Sequence, residues 1–213
     1  MTTCLPLVAA GTLGRFLKGR RQQHSIMQML DAGREGYLTA YRQAVSEALR
    51  GHDTAVPEVK VEATEEKLRK PYRYYTLDIF CKRADKSGPI EVNLASADAM
   101  TPVRENWQGL DVTLHPFVWN GLEFRLDGDL ADDARLVAWM DKWMDIAEKK
   151  PRDANRLSQI AHNVTQPEKR KAGWTFSVDF GSAPLDAFVE LIDVVRATGA
   201  KRLELGSFDY PRG

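Results

Sequence analysis

The spacing of hydrophobic positions changes period several times along the chain, and each change predicts an element. From Ser25, the residues Ile26, Met29, Leu30, Tyr37, Tyr41, Ala44, Val45, Ala48 and Leu49 recur at three- and four-residue steps, which predicts an amphipathic helix over 25–50. Gly33 and Gly36 are expected to break or bend it, and Gly51 to close it with a left-handed cap. From Val56 the period falls to two: Val59 and Val61 alternate with Glu58, Lys60 and Glu62. Further on, Tyr75, Leu77, Ile79 and Cys81 oppose Tyr74, Thr76, Asp78 and Phe80 along a second strand. The run Asp85-Lys86-Ser87-Gly88 then turns the chain into Ile90, Val92 and Leu94, a hairpin with a longer loop. Over 96–109 no period holds, and a short helical turn after Pro102 is the preferred reading.

Asn120-Gly121, flanked by apolar alternation over 117–126, predicts a type I′ hairpin in which Trp119 faces Leu122 and Phe117 faces Phe124. Pro116 interrupts the preceding alternation of Leu110, Val112 and Leu114 and suggests a strand end. A helix follows, capped by Asp132 or Asp133, with Leu136, Trp139, Met140, Trp143 and Ala147 as its buried stripe. Lys149 and Lys150 would sit at its C-terminus, before Pro151. A weaker helix is predicted over 154–163, then strand, helix and strand over 174–180, 184–198 and 202–205. If the last two strands are parallel, this unit is a crossover. The pattern predicts an α+β protein: a two-layer, mainly antiparallel sheet with helices on one face, an N-terminal helix and a C-terminal βαβ unit. Residues 1–24 read as a basic arm, poorly ordered, and 25–213 as one domain, strand-rich over 56–127 and mixed over 130–213.

Composition narrows the class. With 43% hydrophobic and 28% charged residues, the 213-residue chain can bury a core of its own, which excludes disordered and fibrous readings. Lys and Arg total 30 and so do Asp and Glu, so no net field draws the molecule to nucleic acid or anionic lipid. Two cysteines, Cys4 and Cys81, make no disulfide framework, and no apolar run approaches membrane-spanning length. No basic residue precedes the mildly apolar stretch 5–17, so a secretory signal is not expected; Met27 and Met29 are alternative starts, and the cytoplasm is the expected compartment.

Motifs whose spacing carries a mechanism are missing: no phosphate-cradling glycine loop, nucleophile elbow, paired-cysteine zinc pattern or His-Glu-x-x-His helix. No cofactor or metal site is therefore assigned. His115 is the histidine placed in a strand, where with Asp78 and Glu123, and Tyr74 nearby, it could form a hydrolase-like acid–base site. Asp127, Asp129, Asp132 and Asp133 are better explained as turn and cap residues than as Ca²⁺ ligands. Two basic clusters, Lys149, Lys150, Arg152 and Arg156 and then Lys169, Arg170 and Lys171, offer surfaces for an acidic partner, and Arg104 with Trp107 offers an anchor. The expected function is a non-catalytic one: an inhibitor, adaptor or bacterial immunity-type protein that binds a protein partner by surface complementarity. The alternatives are an enzyme around Asp78, His115 and Glu123, and a weak nucleic-acid binder through the basic clusters. No membrane partner is expected, and self-association is compatible with the charge mosaic.

Overall fold

The computed structural model describes residues 25–52, 54–83, 86–92 and 100–208, and the basic arm lies outside them. The first helix, α1 (Ile26–Gly51), opens on a capping box: Ser25 Oγ accepts from the Gln28 N–H, and Gln28 Oε1 accepts from the Ser25 N–H. Ile26, Leu30, Tyr37, Leu38, Tyr41, Val45 and Ala48 form its buried stripe, while Leu49 is exposed. The helix runs unbroken through Gly33 and Gly36, and Gly51 is helical rather than left-handed. Gly33 is a packing residue: a Cβ there would lie 2.8 Å from the Phe117 ring, whereas at Gly36 it would meet nothing within 4 Å. Gly36→Ala is therefore expected to stabilise the protein by about 0.5–1 kcal/mol, through helix propensity alone. Gly33→Ala should forfeit that gain because Phe117 must move; urea unfolding of the two variants checks the contrast.

A three-stranded antiparallel sheet follows, in the order β1 (Thr54–Glu62), β2 (Tyr74–Arg83), β3 (Lys86–Ile90). Arg83 pairs with Lys86, so only 84–85 connect β2 to β3 and Lys86 is already in the strand, not in the turn; Leu94 lies outside the described residues. The larger sheet contains β4 (Val103–Trp107), β5 (Leu110–Leu114), β6 (Leu122–Leu126), β7 (Asn163–Val164), β8 (Glu168–Arg170), β9 (Gly173–Asp179) and β10 (Arg202–Gly206). Its order is β4-β5-β10-β6-β9-β7, with β8 also paired to β9. Among the described residues, only β5 and β10 pair in parallel. Because β9 and β10 each run antiparallel to the β6 strand between them, they run the same way, and α3 (Leu185–Ala197) connects them as the βαβ pattern requires. The remaining helix, α2 (Ala134–Trp143), ends before Ala147.

Three further local expectations fail, each for an identifiable reason. The chain after Pro102 is strand β4, not a helical turn. It reaches β5 through Gln108 and Gly109, whose φ values of 53° and 91° are the two positive angles of a two-residue hairpin turn. Asn120-Gly121, given that role by the sequence, lies in a 3-10 turn with Asn120 at φ −88°. Strands β9 and β10 occupy both edges of β6, so no hairpin partner can pair there. Residues 154–162 form no helix: Arg156 and Gln159 take positive φ, and the segment is a turn followed by irregular backbone that leads into β7.

Strand β2 abuts the large sheet, since the Thr76 N–H donates to His162 O at 2.9 Å just before β7. Helix α1 packs on β1, β2, β4 and α3, and α2 packs on α3. The core between helices and large sheet is aromatic: Phe124 stacks on Phe176 at 4.9 Å and Trp119 on Phe180 at 4.7 Å. Alternation in β5, β6 and β10 sends Leu110, Val112, Leu114, Leu122, Phe124, Leu126, Leu203 and Leu205 into it. The opposite face carries charged and hydroxyl side chains. Among the described residues no helix is long and apolar enough to cross a membrane.

Candidate functional sites

Two acids interrupt apolar strands: Asp78 in β2 and Asp179 at the end of β9. A carboxylate in such a strand needs a polar partner. The structure supplies one imidazole, His162, whose side chain is fully buried. Its Nδ1 lies 2.9 Å from Asp78 Oδ1 and 4.0 Å from Asp179 Oδ2, and its Nε2 lies 3.3 Å from Glu58 Oε1. Glu58 reaches this point through its backbone, which is left-handed at φ 53°. Alternation fails at this residue: Pro57 and Glu58 are buried in succession, so Glu58 lies inside although alternation assigns it to the solvent side. Arg152 holds the distortion by donating to Pro57 O at 2.6 Å and to Glu58 O at 3.4 Å.

Every carboxylate here is positioned by further donors. Asp78 Oδ2 accepts from the Val92 N–H at 2.6 Å, and its Oδ1 from the Tyr37 hydroxyl at 3.2 Å. The Tyr41 hydroxyl donates to Asp78 O at 2.6 Å, and its ring stands edge-on to the imidazole. Glu58 accepts from the Ser158 N–H and the Ser182 hydroxyl. Asp179 Oδ1 accepts from the Gly181 N–H at 2.8 Å. Gly181 itself is required: its φ is +47°, and a Cβ would lie 2.1 Å from the imidazole Cδ2.

Burial alone would lower the His162 pKa, but the Asp78 and Glu58 carboxylates outweigh it and raise it to about 10. Burial also raises Asp179, to about 7, with the Asp78 carboxylate adding to it against the opposing pull of His162. At Glu58 burial again acts upward, yet contacts with His162, Ser182 and the Ser158 N–H hold the group below its ordinary value. Burial and then the neighbouring carboxylates push Tyr37 and Tyr41 well up, so both remain neutral donors. Glu91, at the rim, is raised by burial and by Asp78.

The second region is the uncovered face of the large sheet. Strand register places Arg104, Thr113, Glu204, Arg125 and Thr175 in one row across β4, β5, β10, β6 and β9. A groove of about 650 Å³ opens beside this row, with Arg125, Arg170, Lys171 and Arg202 on its walls and Trp174 at one side. Acids are interleaved: Glu123 pairs with Arg125 at 2.6 Å and Asp127 with Arg202 at 3.1 Å. After β10 the chain folds back so that Phe208 lies under the Arg125 guanidinium at 3.7 Å and beside His115 at 5.1 Å.

Asp78, His115 and Glu123 are not brought together. Asp78 lies beneath α1, bonded to Tyr37, while His115 and Glu123 lie on the open face with β10 between their strands. Tyr74 sits under Lys70. Of the first basic cluster, Arg152 supports the backbone of β1, and Lys150 lies over the Trp143 ring and near Gln159 O. The Lys149 and Lys150 N–H groups are held by the Asp145 carboxylate rather than by a helix end. Arg156 is exposed, and its carbonyl accepts from Arg152. Arg170 and Lys171 of the second cluster line the groove, and Lys169 covers Trp174. Trp107, expected at the surface, is half-buried against Phe188 and donates to Glu105, whereas Arg104 is exposed.

The acidic run is engaged locally: Asp127 accepts from Lys201 and Arg202, Asp129 from Ala131, and Asp132 from Ala134. Asp133, the residue before α2, accepts from Tyr72 and Arg69 instead of capping the helix. Sequence reasoning missed Glu58, His162 and Asp179 as a group. The available signal was the pair of acids inside the apolar strands that became β2 and β9. Comparison with known proteins assigns no family: no family model matches the chain, and neither a curated protein nor a solved structure matches it.

Proposed function

We propose that the protein is a non-catalytic binding protein, of the inhibitor, adaptor or immunity type, whose open sheet face takes an acidic segment of a protein partner. The observation that carries this reading is the groove flanked by Arg125, Arg170, Lys171 and Arg202 on a sheet whose other face is fully occupied by the core. Arg125 and Arg202 are already matched to Glu123 and Asp127, which fixes their heads in place. Arg170 is likewise paired with Glu168 at 2.6 Å, so Lys171, which makes no ion pair with the described residues, supplies the positive charge left for a partner. Alternating charges along the rows would set register and reject wrong partners more than they add affinity.

The test is capture from native lysate by wild-type protein and by the Arg170→Glu/Lys171→Glu double variant, with nuclease treatment and a salt series. A protein band that survives nuclease, weakens with salt and is lost with the charge reversal is expected. A band indifferent to the reversal, no band at all, or material removed by nuclease overturns the reading, the last in favour of nucleic acid.

A further inference from the structure

The buried centre has a charge imbalance that its own residues do not settle. One imidazole stands among Glu58, Asp78 and Asp179, and the side chains of His162, Glu58 and Asp78 are at most 5% exposed. A protonated His162 would neutralise one carboxylate and leave the others facing each other in a desolvated space.

Geometry points to what resolves it. Buried His162 Nδ1 has no aligned hydrogen-bond partner, although two carboxylate oxygens lie in front of it. Its other nitrogen faces Glu58, which the Ser182 hydroxyl and the Ser158 N–H hold in place. A metal-ligating histidine characteristically donates its far N–H to a carboxylate in this way. That tautomer aims the Nδ1 lone pair at Asp78 Oδ1 and Asp179 Oδ2, which is repulsive unless a cation lies between them. The remaining oxygens of both aspartates are tied to backbone N–H groups, at Val92 and Gly181. We propose that Asp78 Oδ1, His162 Nδ1 and Asp179 Oδ2 form a three-ligand site for a divalent first-row transition ion.

The three atoms lie within 4.8 Å of one another, a span that one ion can bridge. An ion about 2.1 Å from two ligands subtends roughly 90° across the 2.9 Å pair and a wider angle across the 4.0 Å pair. Those angles suit five- or six-coordination, with water in the open positions, better than a closed tetrahedron. One imidazole with two carboxylates fits Zn²⁺ or Mn²⁺. Asp179, a quarter exposed, provides the approach from solvent. Bound there, the ion would fasten β2 of the small sheet to β9 of the large one.

Tag-free full-length protein, stripped with chelator, is titrated with ZnCl₂ and separately with MnCl₂ by calorimetry and thermal unfolding. One equivalent is expected to bind, and at about a hundredfold excess over Kd the Tm should rise by roughly 5–10 °C. The decisive variant is Asp179→Asn, which keeps the Oδ1 acceptor for Gly181 but removes the anionic ligand. It should weaken binding more than about 100-fold, beyond the loss expected from an outer-shell residue. Its effect on Tm should also change sign: neutral or favourable without metal, because carboxylate crowding is relieved, and unfavourable with it. Asp127→Asn, the same charge change on the open face, should bind as wild type. Absence of stoichiometric binding by the folded wild-type protein overturns the proposal, as does unchanged affinity in Asp179→Asn or an equal loss in Asp127→Asn.

Discussion

His162→Leu is expected to cost about 3–5 kcal/mol of unfolding free energy at pH 7.5 in chelator, the range for a buried ion cluster that loses its one cation. Leucine fills a similar volume, so the loss is electrostatic rather than a cavity effect. Glu58 and Asp78 would then face Asp179 with no positive charge among them. The loss should shrink at pH 5, where protons can be taken up by the carboxylates. The wild type supplies a second signature. His162 is raised from its ordinary 6.5 to about 10, so the stability it contributes is fully present below pH 6.5 and is lost as pH rises toward 10. Asp179, raised to about 7, acts in the same direction, because the folded state binds the proton more tightly than the unfolded one. Urea unfolding from pH 5 to pH 9 should show wild-type stability falling throughout, through Asp179 up to about pH 7 and through His162 above pH 6.5. A His162→Leu cost near zero at pH 7.5 would mean that the carboxylates are neutral or solvated.

That centre was illegible in the sequence for a physical reason. His162 is separated by 84 residues from Asp78 and by 104 from Glu58, and only the docking of β2 beside the segment before β7 joins them. Glu58 was hidden further, because alternation assigns it to the solvent side and a single left-handed residue turns it inward. Elements stabilised locally were readable: α1 from its apolar stripe, and β9-α3-β10 from the strand, helix and strand periods over 174–205. The Asn120-Gly121 hairpin misled because turn preference is a local signal, and β6 found better partners in two distant strands. The helix expected over 154–163 failed likewise, since Ser158 and His162 reach the buried centre from an irregular segment with positive φ at Arg156 and Gln159. The α+β class survived these errors because it depends on the sum of the elements and not on any one pairing.

Gly173→Ala should have the largest effect of any glycine substitution near the open face, about 3–5 kcal/mol, and it links the fold to the proposed binding role. Its φ is +142°, and a Cβ would lie 1.9 Å from Leu126 O, a backbone atom of β6 that no side-chain rotation can remove. Gly109 provides the control: its φ is +91°, yet a Cβ there would meet nothing within 4 Å. Gly109→Ala should therefore show only the conformational term, about 1–2 kcal/mol. The difference between the two variants in urea isolates the clash. Relief of that clash must move β9 away from β6, and with it the β8–β9 turn that carries Arg170 and Lys171 to the groove. At temperatures where both variants remain folded, Gly173→Ala should capture the acidic partner more weakly than wild type, and Gly109→Ala should capture it equally well. Equal capture by all three proteins would place the contact away from the β8–β9 turn, because the groove cannot keep its shape once those strands have separated.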